Sequence, residues 1–387
     1  MRFLFGDAAV GEELRQRQNK LRLMDEFWDA FKKACDVPSV ELAERLRWID
    51  QRLWVDSGAH LENSPQSVVV SSDEWHLQPL IQAFIDRARP KLSDWDFSPV
   101  RPKLELSEAL SAVARGVCLD GARVRLEPAP GRLLNVVVHL ANAWSDRDEE
   151  SAAAVESVVE ALIGQRLFET WIDSISVAPL ARGGRLRLVG PGSTETESLR
   201  KLSLLVDRAV EKARTELGEE PLYLAKDRLS WTVLVASPES ADDYPAQEDL
   251  QWASTLLPDL VECFLQRAPV CSQRFSRNQE IFCYLKMEKP GATAEELLAR
   301  RNALEDALDS ELFAHQAGAC VGNGLGLRYC YIHLALSDLH KGLNIVRETA
   351  QRQGVGRRSW ILFFDTEWAG EWVEIWPDAP PPPHSDP

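Results

Sequence analysis

The chain has 387 residues, of which 60 are acidic and 44 are basic, so its formal net charge at pH 7 is −16. Nucleic acids and anionic membranes are bound mainly through Lys and Arg, so this charge disfavours both as partners and favours a basic protein. A hydrophobic content of 45% with 27% charged residues predicts folded globular domains, and the length predicts two or three of them at ~100–200 residues each.

The cysteines predict a reducing compartment. Their number is odd, their spacing is irregular, and they are Cys35, Cys118, Cys263, Cys271, Cys283, Cys320 and Cys330. Secreted disulfide frameworks usually have dense, even-numbered cysteines in a short chain. The first apolar stretch is too short for a signal peptide, and no run approaches the ~20 apolar residues of a membrane span. We therefore expect a cytoplasmic protein with reduced thiols.

The N-terminal segment is predicted to be helical. Over residues 12–35, apolar side chains recur at three- and four-residue steps, which places them on one face of a helix. These side chains are Leu21, Met24, Phe27, Trp28 and Phe31. Pro38 ends this helix, and Ser39 is placed to cap a second helix that runs to Trp48.

Three later stretches each predict a strand, a helix with an acidic start, and a closing strand beginning at or near a Trp. Their strand, helix and strand cover residues 67–71, 73–88 and 95–100; residues 133–140, 148–168 and 171–178; and residues 327–336, 338–353 and 359–364. Acidic residues at a helix start complement the helix dipole and cap free N–H groups. The recurrence of this pattern predicts repeated β-α-β units.

The C-terminal region extends this pattern. A strand over residues 280–287 and a helix over residues 293–315 precede the third stretch, which gives β-α-β-β-α-β order. That is the ferredoxin-like arrangement. We therefore predict an α+β fold in which repeated β-α-β units form ferredoxin-like split sandwiches, with an N-terminal helical segment.

The segments between these units complete the predicted domain organisation. Residues 194–217 predict one long helix opened by a capping box, residues 229–236 predict a strand, and residues 238–245 are the best candidate linker. The predicted domains are the N-terminal helices with the first β-α-β unit (1–115), a second α+β unit with the long helix (116–240), a ferredoxin-like domain (246–377) and a disordered Pro-rich tail (378–387).

Two glycine-rich segments have the composition of phosphate loops but fit structural roles better. Residues 322–326 (Gly-Asn-Gly-Leu-Gly) follow a helix and precede a strand, which reverses the order of a dinucleotide fingerprint. They predict a turn or bulge. Residues 190–194 (Gly-Pro-Gly-Ser-Thr) open a helix but lack the P-loop Lys, and acids follow, so a capped helix start is predicted. No cofactor is predicted.

Metal-binding residue types occur without metal-site spacing. Cys330 and His333 are three apart on a strand, so they face opposite sides of the sheet and do not chelate together. His315, Cys320 and His340 would have to join them in space, and no zinc-site spacing supports this. Core thiols and a buried histidine explain these residues, and no metal is predicted.

A second hypothetical metal site concerns Asp365 and Glu367. Two residues apart on a strand, they would share one face, and paired carboxylates can bind Mg²⁺. A charge-rich strand end is the commoner explanation. The chain contains no Gly-x-Ser-x-Gly or His-Glu-x-x-His motif, so no catalytic residue is assigned.

The segment of residues 360–376 is rich in tryptophan and carboxylates. It contains Trp360, Trp368, Trp372 and Trp376 with Asp365, Glu367, Glu371 and Glu374 between them. An exposed indole rimmed by carboxylates anchors Arg or Lys through cation–π contact and charge, whereas buried indoles would serve the core. On the first interpretation the predicted partner-binding residues are Trp368, Glu371, Trp372, Glu374 and Trp376.

Two resemblances concern fold and packing. The segment Phe27-Trp28-Asp29-Ala30-Phe31, with Trp95-Asp96-Phe97-Ser98-Pro99, resembles motifs of uncharacterised bacterial proteins that open with a Phe-Trp-x-x-Phe helix. The C-terminal unit resembles ferredoxin-like modules of small bacterial inhibitor and toxin-immunity proteins. These resemblances imply packing roles and a fold class, and they transfer no site residues, because fold does not imply function.

Three functions are compatible with the sequence. The favoured hypothesis is an intracellular binding or inhibitor protein, immunity-like in character, that covers a basic protein surface. The alternative is a hydrolase or metal-assisted phosphoesterase with a dispersed site that uses carboxylates such as Asp365 and Glu367. The third is a scaffold without a polar cleft.

Overall fold

The computed structural model describes residues 2–34, 40–57, 67–113, 119, 121–140, 149–179, 196–289 and 294–383. Cys35, Cys118 and the glycine-rich residues 190–194 lie outside the described residues. The chain divides into two compact units, one of Met1–Asn19 with Arg214–Pro387 and the other of Lys20–Ala213. The boundary at residues 213 and 214 falls inside the predicted domain of residues 116–240.

The fold mixes α-helices and β-strands. The helices in the described part of the chain are α1 (Gly11–Ala34), α2 (Val40–Ile49), α3 (Gln78–Ala88), α4 (Leu106–Val113), α5 (Glu149–Ile163), α6 (Gln165–Trp171), α7 (Leu202–Thr215), α8 (Leu222–Ala225), α9 (Pro258–Leu265), α10 (Ala294–Ala314) and α11 (Leu339–Arg352). The two predicted N-terminal helices are confirmed as α1 and α2. None of these helices combines the length and apolar character that crossing a lipid bilayer requires.

The strands in the described part of the chain form three sheets. The strands among the described residues are β1 (Trp54–Ser57), β2 (Ser67–Ser71), β3 (Asp96–Ser98), β4 (Arg123–Pro128), β5 (Leu134–Leu140), β6 (Ile172–Pro179), β7 (Glu197–Ser198), β8 (Thr232–Val235), β9 (Leu250–Thr255), β10 (Ile281–Glu288), β11 (Gly318–Gly326), β12 (Tyr329–Leu336), β13 (Ser359–Phe363) and β14 (Trp372–Glu374). The unit Lys20–Ala213 holds the three-stranded sheet β1-β2-β3 and the four-stranded sheet β6-β5-β4-β7. The other unit holds one seven-stranded sheet.

An aromatic cluster joins α1 to α3 and β3 in the unit Lys20–Ala213. The Trp28 ring lies 4.6 Å from the Phe84 ring and 5.5 Å from the Phe97 ring, centroid to centroid, and its Nε1–H donates to the Phe84 carbonyl at 2.8 Å. Phe31 packs edge-on against Trp95 at 5.1 Å. The Phe-Trp-x-x-Phe and Trp-x-Phe motifs therefore pack against each other, as their predicted structural role requires.

Two parallel strand pairs are present in this unit. Strands β2 and β3 pair in parallel around α3, and β5 and β6 pair in parallel around α5 and α6. The single helix predicted over residues 148–168 is wrong, because Gly164 separates α5 from α6 with a φ of 81°, a conformation that glycine adopts without steric cost.

The predicted helix over residues 194–217 is also wrong in extent. Glu197 and Ser198 form β7, which pairs antiparallel with β4, so helix α7 begins only at Leu202. Backbone pairing with a neighbouring strand outweighs the local capping pattern here.

The seven-stranded sheet has the order β14-β13-β10-β12-β11-β9-β8, and every neighbouring pair is antiparallel. Strands β10 to β13 follow one another as β-α-β-β-α-β through α10 and α11. Because β10 lies between β12 and β13, the strands of the third predicted unit are not neighbours. Strands β9 and β8 extend one side of this four-strand set, and β14 extends the other.

The glycine motif of residues 322–326 lies inside strand β11, so of the predicted turn or bulge, the turn is wrong and the bulge is confirmed. A register shift between Cys320 and Gly322 forms a bulge. A Cβ atom at Gly326 would lie 2.3–2.6 Å from the Asp249 carboxylate, and one at Gly324 would lie 2.6 Å from Leu250. Glycine is required here because neighbouring groups approach the strand backbone closely.

Each face of the seven-stranded sheet carries its own core. On one face, the apolar sides of α10 and α11 pack on strands β10, β12 and β13 through residues such as Leu308, Val346 and Ile332. On the other face, α9 covers aromatic side chains such as Tyr331 and Trp360. Burying both faces accounts for the nearly continuous apolar runs of the central strands.

Two segments predicted as a linker and a tail are packed. Residues 238–245 lie within the unit of Arg214–Pro387 and do not separate compact units. In the predicted tail, the Pro380 carbonyl accepts a hydrogen bond from the Trp360 indole at 2.6 Å, and Pro382 is buried. Residues 384–387 lie outside the described residues.

Candidate functional site

The tryptophan- and acid-rich edge at β14 is occupied by the N-terminal arm of the same chain, which consists of residues 2–5. The guanidinium of Arg2 lies over the Trp372 ring, 3.6 Å from its centroid. Its Nη1 donates to the Glu374 carboxylate at 2.6 Å and to the Trp372 carbonyl at 3.1 Å, while Nε and Nη2 bind Glu13 at 3.1 and 3.0 Å. Trp372 and Glu374 therefore bind an arginine of the same chain through the cation–π contact and charge that were predicted for an arginine of a partner.

The charges at this edge stabilise one another. Burial alone would lower the pKa of Arg2, but hydrogen bonds and charges from Glu13 and Glu374 raise it. Burial acts to raise the pKa of Glu13, and the Arg2 guanidinium outweighs it and lowers that pKa. Both partners are thus held in their ionised forms, as a partly buried ion pair requires.

Glu371 holds the backbone of the arm. Its two carboxylate oxygens accept hydrogen bonds from the N–H groups of Phe3, Leu4 and Phe5 at 2.6, 3.1 and 3.0 Å. The Phe5 ring then stacks on Phe363 with centroids 4.9 Å apart. A buried carboxylate is acceptable here because three N–H donors replace its hydration.

The five predicted partner-binding residues have different environments. Trp372, at 5% exposure, Glu371 and Glu374 are buried. Trp368 and Trp376 are half-buried and pack against the core, and the Trp376 indole donates to the Val355 carbonyl at 2.8 Å. A role in partner binding stays a prediction, and a partner that used Trp372 would have to replace Arg2. Sequence reasoning missed Arg2 because nothing local links it to residue 372.

Asp365 and Glu367 do not act as an open carboxylate pair. The buried Asp365 carboxylate accepts from the Ser272 N–H at 2.6 Å and from the Ser272 hydroxyl. Burial raises the pKa of Asp365 to about 7 against those hydrogen bonds. Among the described residues, no group of three or more His, Cys, Asp or Glu side chains is arranged to hold a metal ion.

The cysteine and histidine candidates are separated as the strand geometry predicts. Cys330 lies in the core under α10 and α11, whereas His333 lies on the other face, with Nε2 3.0 Å from the Gln247 Oε1 atom. Burial lowers the pKa of His333 to about 3, so this histidine is neutral. Cys320 is buried, and His315 is exposed.

A buried polar cluster that sequence reasoning missed surrounds Lys286. Its Nζ donates to the carbonyls of Tyr244, Pro245 and Ala246, and it lies 4.2 Å from the Tyr329 ring centroid. Burial lowers the pKa of Lys286 to about 8. The three carbonyls take all three donors of the ammonium, so Lys286 fastens the segment of residues 244–246 to the sheet.

Asp249 completes this cluster. Its carboxylate accepts from the Tyr331 hydroxyl and from the N–H groups of Arg328 and Tyr329 at 2.7 and 2.9 Å. Gly326 leaves the space that this carboxylate fills. The cluster therefore anchors residues 244–249 through internal bonds, and only the glycine at 326 hints at it in the sequence.

The opposite end of the sheet is open. Strand β8 ends the sheet, and β9 is its only strand partner among the described residues. Cross-strand pairs align Val233 with Ser254 and Val235 with Trp252, on the face that α10 and α11 cover farther along the sheet. Yet Trp231, Val233 and Val235 are 52%, 66% and 81% exposed. We call these five residues the open sheet face.

The open sheet face exists because two helices do not cover seven strands. Helices in a layer lie ~8–10 Å apart and strands ~4.8 Å apart, so α10 and α11 together cover about four strands. These two helices pack on strands β10 to β13. An apolar strand surface beside the last helix is therefore left to solvent, which is typical of an interaction site when it is contiguous.

An acidic helix flank borders the open sheet face. On one side of α10, Glu311 pairs with Arg352 of α11 at 2.8 Å. On its other side, Arg301 lies 5.2 Å from the Trp252 ring centroid and Glu305 binds Asn323 of β11. That side of α10 faces β9 and β11.

The electrostatics of this flank are unfavourable in isolation. Burial raises the pKa of Glu305, its hydrogen bond from Asn323 and the charge of Arg301 oppose this, and the charges of Asp306 and Asp309 raise it further. Added positive charge would relieve this crowding of carboxylates.

The edge at β14 is occupied by the arm, whereas, within the described part of the chain, the open sheet face keeps side chains that are largely exposed. It combines exposed Val and Trp side chains with carboxylates of α10. Comparison of the chain with protein-family models, with curated proteins and with solved structures finds no match.

Proposed function

We propose that this chain is a protein-binding protein of the inhibitor type, which covers a basic surface of another protein with its open sheet face. The observation that carries this proposal is the exposure of Val233 and Val235 on an uncharged strand at the end of a sheet. Exposed valines at a sheet edge are a liability unless a partner covers them.

The charge distribution supports a basic partner. The chain carries a net charge of −16, which raises the encounter rate with a basic protein through long-range steering. Glu305 lies beside the open sheet face, because it binds Asn323, which pairs with Ser254, and Asp306 is its exposed neighbour on α10. A Lys or Arg of the partner would neutralise these carboxylates. Apolar contact would then supply affinity, and charge would supply orientation and choice of partner.

The strand order supports the resemblance to inhibitor modules. Strands β13-β10-β12-β11, joined as β-α-β-β-α-β, follow the order of a ferredoxin-like sheet, to which we assign the C-terminal unit. An immunity-like role remains part of the proposal by analogy of fold alone. The free thiols Cys283 and Cys330 support a cytoplasmic site of action.

The dispersed-site enzyme receives less support. Asp365 is held by Ser272, and Lys286 is held by three backbone carbonyls. These buried groups are occupied by the chain itself, so they serve the fold in this conformation.

Quantitative affinity capture from a native lysate, with the wild type and two variants as baits, tests the proposal. Asp306→Lys reverses an exposed charge on α10 next to Glu305, and Val235→Asp places a charge in the open sheet face. We expect a basic protein to be enriched by the wild type and its recovery to fall about tenfold or more with either variant, because like charges or a buried unpaired carboxylate cost several kcal/mol.

Two control variants make the same kinds of substitution at exposed positions outside the open sheet face. Glu211→Lys alters an exposed carboxylate of α7, and Val10→Asp alters a valine that is 63% exposed. Both should retain the captured protein. Capture of no basic protein, or equal loss with the controls, would contradict the proposal.

A further inference from the structure

We infer that the backbone edge of β8 pairs antiparallel with β8 of a second copy of this chain, so that the two seven-stranded sheets become one continuous sheet in a two-fold dimer. The inference does not rest on the proposed function. It concerns the edge of the strand in the plane of the sheet, whereas the partner proposed above covers the face.

Within the described part of the chain, the hydrogen-bonding groups of β8 alternate between bonds to β9 and the outer edge of the sheet. The Ala236 N–H donates to the Gln251 carbonyl of β9 at 2.9 Å. By the alternation of an antiparallel ladder, even-numbered residues of β8 bond to β9, and the N–H and C=O groups of Trp231, Val233 and Val235 point outward. These outward groups form a ready template for another strand.

The two edge strands of the sheet, β14 and β8, have different surroundings. At β14, the chain covers its own edge, because Arg2 donates to the Trp372 carbonyl and the arm lies against Glu371. At β8, residues 232–235 are Thr-Val-Leu-Val, with no Pro, no charge and no register shift in the pairing with β9. Apart from the shortness of β8, which has four residues, the charges, prolines and bulges that block edge pairing are missing from this strand.

A second copy fits this edge by symmetry and charge. With the two-fold axis through Val233, Val233 faces its own counterpart, Trp231 faces Val235 of the second copy, and Val235 faces Trp231 of the second copy. Each of these three residue pairs would exchange two backbone hydrogen bonds, about six in all. No charged side chain meets another, so two chains of net charge −16 can approach at this strand. A basic partner strand would find no carboxylate in this row, which favours the second copy as occupant.

The mass in solution tests the inference, measured by light scattering after size exclusion at about 100 µM, since a short strand interface is of the weak class. The wild type should have twice the mass of one chain. Val233→Asp and Val233→Lys each place like charges directly opposite across the axis, and each should halve the mass. An equimolar mixture of the two variants should restore the double mass, because Asp then faces Lys.

The mixture also separates loss of pairing from loss of folding, since unfolded variants would not recombine. Val233→Pro removes only the outward N–H and should also halve the mass, whereas Val10→Asp should leave it doubled. A wild type of single-chain mass overturns the inference, and so does a dimer that all three Val233 substitutions leave intact. A monomeric wild type whose basic partner is lost with Val235→Asp would overturn the second copy and leave the proposed function standing.

Discussion

The guanidinium carbon of Arg2 lies 3.6 Å from the centroid of the Trp372 ring, and the same side chain binds the carboxylates of Glu13 and Glu374. Cation–π contact, two ion pairs and a backbone hydrogen bond thus meet on one buried side chain. The arm and the last strand, 370 residues apart in sequence, are held together by this side chain.

We expect Arg2→Ala to lower the free energy of unfolding by about 3–5 kcal/mol, because it leaves the buried Glu374 carboxylate without its partner. Urea unfolding followed by circular dichroism measures the change. Arg15→Ala removes an exposed arginine from α1 and should change the free energy by less than about 0.5 kcal/mol. Equal effects of the two substitutions would show that the Arg2 contacts contribute nothing to stability.

We expect Glu371→Ala to release the N-terminal arm. Three N–H groups lose their acceptor, and each unsatisfied group costs about 1–3 kcal/mol unless water reaches it. Amide hydrogen exchange of residues 3–5, measured by mass spectrometry, should accelerate about 10- to 100-fold. The exposed carboxylate of Glu348 on α11 offers the control, and Glu348→Ala should leave this exchange unchanged. Unaltered exchange in Glu371→Ala would mean that other contacts hold the arm.

We expect Gly326→Ala to destabilise the protein by about 2–4 kcal/mol, because the new Cβ would lie 2.3–2.6 Å from the Asp249 carboxylate and force that buried group to move. Thermal unfolding measures the effect. Gly356→Ala adds the same methyl group where no atom lies within 4 Å, and it should be tolerated. A tolerated Gly326→Ala would contradict the close-approach explanation of the glycine motif.

The elements of this fold could be predicted where the pattern is local. The apolar stripe containing Phe27 and Trp28 gave α1, and β-branched and aromatic runs gave β2, β5, β10 and β12 nearly to the residue. The prediction failed where a distant group decides the conformation. Strand β11 has the composition of a loop, and it is a strand because Asp249 and Leu250 fill the space that its glycines leave.

The chemistry of the candidate site could be predicted from the sequence, but the arginine that occupies the site could not. Sequence reasoning identified an indole and carboxylates suited to an arginine, and Trp372 and Glu374 do bind one. That the arginine is Arg2 of the same chain depends on a tertiary contact that no periodicity encodes. The exposure of Val233 was equally hidden, because it follows from the number of helices available to cover the sheet and not from the strand itself.

The stability of the protein should depend on pH through the buried carboxylate of Asp365. Its pKa is about 7 in the folded protein and about 3.8 in the unfolded chain, since burial favours the neutral acid. A raised folded pKa means that the folded state binds the proton more tightly. The stabilisation is complete below pH 3.8 and is lost as the pH rises through 7.

Between pH 5 and 8, Asp365 should therefore cost the wild type about 2–3 kcal/mol of stability. The side chain of Asn does not titrate. Between pH 5 and 8, the free energy of unfolding of Asp365→Asn, measured with urea, should therefore fall by about 2–3 kcal/mol less than that of the wild type. Other titrating groups act equally on both proteins and cancel in the comparison. Asp227→Asn, at an exposed position, should keep the wild-type pH dependence. Parallel curves for the wild type and Asp365→Asn would show that Ser272 keeps this carboxylate ionised throughout, because its two hydrogen bonds would then outweigh burial.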